Sequence, residues 1–160
     1  MEMKNSIAFI VIGLAVVAVA VGGSLLTDSG MAWYATLQLP AFTPPGGVIG
    51  LVWTTIFILS AVAVMLIWSA RTAFPHFGSI IALLVINGVL NVLWSYVFFV
   101  AHQLGLAVAE MIVLNLTTLA IIILSWNRQR VAALLLLPYF AWVCFATYLA
   151  VVIWRMNGLG

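Results

Sequence analysis

The stretch WYATLQLPAFTPPGGVIGLVWTTIF, residues 33–57, decides how the rest of the chain is read. It is a proline-rich, aromatic connection that runs into an apolar helix without one charged residue. Connections ordinarily lie in water and carry polar side chains. A loop containing Trp33, Tyr34, Phe42 and the prolines Pro40, Pro44 and Pro45 is suited instead to folding back over an apolar surface. The reading is a lid, residues 28–46, over a pocket between membrane helices.

The rest of the composition supports a membrane setting. Apolar residues make up 67% of the chain and charged residues 5%, against roughly 45–50% and 25% in soluble globular domains. The 160 residues hold about five spans of roughly 20–25 residues with short connections. The expectation is an all-α integral membrane protein, a five-transmembrane-helix bundle forming a single domain over residues 1–160. The spans are placed at about 5–27, 47–70, 79–101, 104–126 and 131–155. Each run is continuously apolar, unlike the short alternating segments of a membrane barrel. Pro44 and Pro45 stand where a helix entry tolerates proline. The first run outlasts a signal-peptide core of about 7–15 residues, so it is read as an uncleaved helix.

Charges are few and lie near span ends. The net +2 excludes a nucleic-acid surface. Lys4, Arg71, Arg128 and Arg130 fall on the side of the N-terminus and Arg155 on the other. In a bacterial cell membrane, the expected location, the positive-inside bias gives a cytoplasmic N-terminus and an outward-facing lid. Cys144 has no second cysteine with which to pair.

Three stripes point to the bundle interior. Asn87, Asn91, Trp94 and Phe98 follow at steps of four, three and four. Amides at membrane depth face inward, either as hydrogen bonds between helices or as ligand contacts. Ile49, Trp53 and Phe57 recur at four-residue intervals directly below the lid. Near the end of the chain, Pro138 removes a backbone donor next to Tyr139, and Trp142, Ala146 and Leu149 continue one face. Ala146 either admits a close helix or leaves room for a flat ligand. Glu110 is the one acid deep in a span, read as lying close to the interface. His76 and His102 fall on opposite sides, so no metal site is expected. No nucleophile with a base, phosphate-binding glycine loop or carboxylate pair is present.

The combination of Trp33-Tyr34, the Pro40–Pro45 lid, Trp53-Thr54, Asn87 with Asn91, Phe98-Phe99, and Pro138-Tyr139 with Trp142 resembles the tryptophan-rich sensory protein family. Its animal members are called translocator protein or peripheral-type benzodiazepine receptor. The resemblance covers essentially the whole chain. It implies five transmembrane helices, a homodimer, and a cavity under the first long loop that binds porphyrins such as protoporphyrin IX. Carried onto matching positions, the lining would be Tyr34, Ile49, Trp53, Phe57, Asn91, Trp94, Trp142 and Ala146. Phe42 departs from the tryptophan usual at its position. A sterol-type pattern is incomplete, since Arg155 lies one position too far from Tyr148.

The leading expectation is a membrane receptor or carrier for porphyrin-type tetrapyrroles in stress or tetrapyrrole regulation. It needs no cofactor and takes porphyrin, or another planar lipophile, as ligand. Membrane lipid is the other expected partner. Arg155 is a candidate partner for the porphyrin propionates, against the simpler role of snorkelling at its helix end. An alternative from another class is light-dependent porphyrin degradation, with Trp53 and Trp142 as catalytic candidates. A further alternative is a transporter of sterol or another lipophile, or a dimeric signalling scaffold using small residues such as Ala18 and Gly22.

Overall fold

A computed structural model of the chain describes residues 2–158, with side chains from residue 5 onward. Lys4, counted in the charge balance above, falls outside the described side chains, and residues 1, 159 and 160 fall outside the described chain. The helices are α1 (Glu2–Tyr34), α2 (Gly46–Ser69), α3 (Phe77–Ser95), α4 (Leu104–Trp126) and α5 (Arg130–Met156). A short 3-10 turn, Arg71–Ala73, follows α2, and α3 continues into a wide π-type turn, Tyr96–Val100. All five helices are long and apolar enough to cross a membrane. Among the described residues there are no strands, as expected where backbone groups must be satisfied within each span.

The helices form a closed ring in the order α1, α2, α5, α4, α3 and back to α1. Along α4, Leu104, Ala107, Met111, Leu114, Thr118, Ile121 and Ser125 are buried at alternating steps of three and four. That spacing puts one continuous stripe against α3 and α5. In α1, by contrast, Gly30 is the one buried residue among the described side chains. The helix closes the ring between α2 and α3 with most of its surface facing outward.

The first helix also runs seven residues past the expected end at 27, so the loop covers residues 35–45 rather than 28–46. Thr27, Asp28, Ser29 and Gly30 look like a helix stop, but none breaks the backbone. The Ser29 hydroxyl donates back to the Leu26 carbonyl at 2.7 Å, and Gly30 stays helical. Its lack of a side chain serves close approach instead: a Cβ on Gly30 would collide with the Phe99 carbonyl. That carbonyl belongs to the wide turn. There, Ala101 N–H donates to Tyr96 O at 2.9 Å and Gln103 N–H to Val97 O at 3.0 Å. The expected third span, 79–101, is thus a helix to Ser95 followed by this widened segment. Pro138 sits inside α5 without ending it.

Candidate functional site

Beneath the loop, four of the expected site residues pack on one cluster. Trp53 from α2, Trp94 from α3, and Trp142 and Ala146 from α5 surround Ile56, Met111 and Val143. Trp53 stacks on Phe57, with centroids 5.6 Å apart, and meets the edge of Tyr139 at 6.1 Å. Trp94 also belongs to a neighbouring cluster nearer the loop, where Tyr34 and Trp33 pack with Phe98, Phe99 and Leu37. Ile49 is half-buried one turn before Trp53 and belongs to neither cluster. Arg155 is exposed in the last turn of α5, with no ion pair among the described residues.

The loop lies against the bundle. Phe42 stacks on Tyr148 of α5 at 5.6 Å and 21°. Asn157, just past α5, accepts from the Gln38 backbone N–H at 3.0 Å and donates to the Gln38 carbonyl at 3.0 Å. This two-way clip copies one rung of a strand ladder with a side-chain amide. On the neighbouring edge, Trp33 stacks on His102 at 4.0 Å. His102 holds a positive φ of 57°, the kind of backbone rarely adopted away from a tight turn.

Both asparagines are tied into a hydrogen-bonded network at mid-depth. Tyr139 OH donates to Asn87 Oδ1 at 3.1 Å and accepts from Asn91 Nδ2 at 3.0 Å. Asn87 Nδ2 donates to Thr117 and Thr118 hydroxyls, each at 2.9 Å. Those hydroxyls donate in turn to the Leu114 carbonyl. The network joins α3, α4 and α5 and gives the buried amides the partners that membrane depth demands.

Several buried polar atoms have no such partner. The indole nitrogens of Trp94 and Trp142 and both carboxyl oxygens of Glu110 are buried without a hydrogen-bond partner among the described residues. Glu110 is 7% exposed, on the α4 face shared by Ala107 and Leu114. It is therefore screened by protein from solvent. Unsatisfied buried groups are few in native proteins, and each calls for an account.

On the other side of the asparagine network lies a cavity of about 910 Å³. Its walls come from α1 between Val11 and Leu26, α2 between Phe57 and Trp68, and α3 between Ile81 and Tyr96. Thr118, Ile121, Leu136 and Tyr139 stand behind. Of the expected site residues, Phe57 and Asn91 line it, and Tyr34, Ile49, Trp53, Trp94, Trp142 and Ala146 do not.

A ring of five membrane helices, a proline-rich loop clipped over one end, and indoles converging below it are matched by sequence comparison, in which the TspO/MBR family model covers residues 10–155. The chain belongs to the TspO/MBR family. Among its TspO/MBR relatives, it is 36% identical to the tryptophan-rich protein TspO of Bacillus cereus over 160 residues, spanning 98% of this chain and 100% of that protein. It is 32% identical to the human translocator protein over 139 residues, 86% of this chain and 82% of that one. It is also 32% identical to the tryptophan-rich protein TspO of Archaeoglobus fulgidus, over 90% of this chain and 93% of that protein. Within this TspO/MBR chain, the sequence reading did not single out Asn157 or the role of Tyr139. An amide just beyond a helix end, and a tyrosine one residue after a helix-internal proline, were the available signals.

Proposed function

We propose that the protein is a membrane receptor or carrier for porphyrin-type tetrapyrroles, held among Trp53, Trp94, Trp142 and Ala146 beneath the loop. The observation that carries this reading is the pair of buried indole N–H groups, on Trp94 and Trp142, that share one cluster and lack an acceptor. A planar macrocycle offers π faces for the rings, and its ring substituents offer acceptors for the donors. Stacking contributes about 0.5–1.5 kcal/mol per good aromatic pair beyond burial. Exposed Arg155, on the same side as the loop, attracts the propionates. The lid side faces outward in a bacterial cell membrane, opposite Arg71, Arg128 and Arg130.

The test is a titration of the purified protein with protoporphyrin IX, followed by tryptophan fluorescence. Trp53→Phe and Trp142→Phe are expected to weaken binding about two- to tenfold each. Unchanged affinity in both variants overturns the assignment. Arg155→Ala is expected to weaken binding at low salt and to lose that effect at high salt. The alternative of light-dependent degradation rests on the same two indoles. It predicts that the porphyrin spectrum bleaches in light and air, whereas a receptor leaves it shifted and stable.

A further inference from the structure

We propose that the cavity on the far side of the asparagine network is a second binding site, occupied by one acyl chain of a bilayer phospholipid whose head group lies at Arg71 and Trp68. Its position supplies the first argument. The exposed large side chains of its wall, Val11 on α1 and Val85, Val89, Leu93 and Tyr96 on α3, all stand on those two helices, so the mouth opens on lipid between them. An apolar cavity opening on hydrocarbon has acyl chains as its immediate neighbours, and its volume of about 910 Å³ falls within the usual range for ligand pockets.

Its length supplies the second. On α2 the wall runs from Phe57 to Trp68, which at about 1.5 Å per residue is roughly 16 Å, and on α1 and α3 it continues past that level to Leu26 and Tyr96, roughly 22 Å in all. One leaflet of a bilayer contributes about half of its roughly 30 Å hydrocarbon thickness. A chain anchored where Trp68 meets the interface therefore ends near Phe57 and Asn91, at the floor of the tryptophan cluster.

Unmet hydrogen bonds supply the third. Ser60 Oγ and Trp68 Nε1 both belong to residues lining the cavity, and both are buried without a partner among the described residues. At the interfacial end, the Arg71 guanidinium lies 5.6 Å from the Trp68 ring and donates through one nitrogen to Asn5 Oδ1 and the Trp68 carbonyl. Its remaining donors suit an ester or phosphate oxygen. A helix from a second copy does not fit this mouth. A Cβ on Gly88 would lie 3.4 Å from Val19, and one on Gly22 would lie 3.7 Å from Val92, so α1 and α3 touch at these two points and narrow the mouth beside them. A helix with its side chains is about 10–12 Å across, whereas an acyl chain is thin enough to pass beside these contacts.

The experiment is native mass spectrometry of the purified protein with palmitoyl-oleoyl phosphatidylglycerol, and separately with palmitate. Wild type is expected to retain one phospholipid per protomer. Val64→Trp and Ile81→Trp, which fill the cavity, are expected to reduce retention at least about tenfold, and Ile58→Trp on the exposed face of α2 to leave it unchanged. Trp68→Phe keeps the packing and removes the donor, and is expected to weaken retention about two- to tenfold. The proposal is overturned if wild type retains no phospholipid, whether as monomer or dimer, or retains palmitate alone. It is also overturned if Trp68→Phe and the filled variants all bind as wild type does. Because none of these readouts uses porphyrin, failure here leaves the tetrapyrrole reading standing, and the reverse holds as well.

Discussion

The two halves of α1 meet α3 in different ways. Toward the loop, Gly22 faces Val92, Gly23 faces Ser95 and Gly30 lies directly on the Phe99 backbone. Toward the N-terminus, Gly13 has no heavy atom from another element within 4 Å of where its Cβ would be, and Val11, Ile12 and Ala15 line the cavity, whose wall continues along α1 as far as Leu26. Both halves carry small residues, so small residues alone do not bring two membrane helices together. The partner decides it. On the loop side, α3 widens at Tyr96–Val100 and extends a carbonyl that only a glycine can receive, whereas farther down α3 is a regular helix presenting valines.

The strongest challenge to this comparison is Gly30→Val. A side chain there must displace backbone, so the loss is expected at or above the upper end of the roughly 1–3 kcal/mol typical of overpacking. A thermal melt in detergent equal to that of wild type would refute the close approach. Tyr139→Phe comes next. It leaves Asn87 Oδ1 and an Asn91 N–H without their shared partner at the boundary between the halves, for an expected loss of about 2 kcal/mol. Glu110→Met acts in the opposite direction. With no partner for either oxygen among the described residues, its removal is expected to raise stability by about 1–2 kcal/mol. A drop instead would reveal a partner supplied by ligand or lipid. The smallest effect is expected from Gly13→Ala in the open half, a gain of about 0.5–1 kcal/mol from helix propensity.

The spans were legible because each is a run of twenty or more apolar residues, a signal that needs no knowledge of neighbours. The convergence of Trp53, Trp94 and Trp142 was legible for a similar reason, since each stands on an inward stripe with helical spacing. Gly30 was not legible. Its identity fits a helix stop as well as a contact, and the deciding atom belongs to Phe99, which lies 69 positions later in the chain. The clip by Asn157 was hidden likewise, because its partner Gln38 is 119 residues away. The open cavity was hidden because empty space between helices leaves no mark on the periodicity of any one of them.

That clip has a practical consequence for handling the molecule. The two hydrogen bonds between Asn157 and the Gln38 backbone tie the loop to a position just beyond the last helix. An affinity tag or fluorescent fusion placed there sits beside the same amide and is expected to loosen the hold of the loop on the bundle. Fusions at the opposite end of the chain leave that hold intact and are the sounder choice for the binding titrations proposed above.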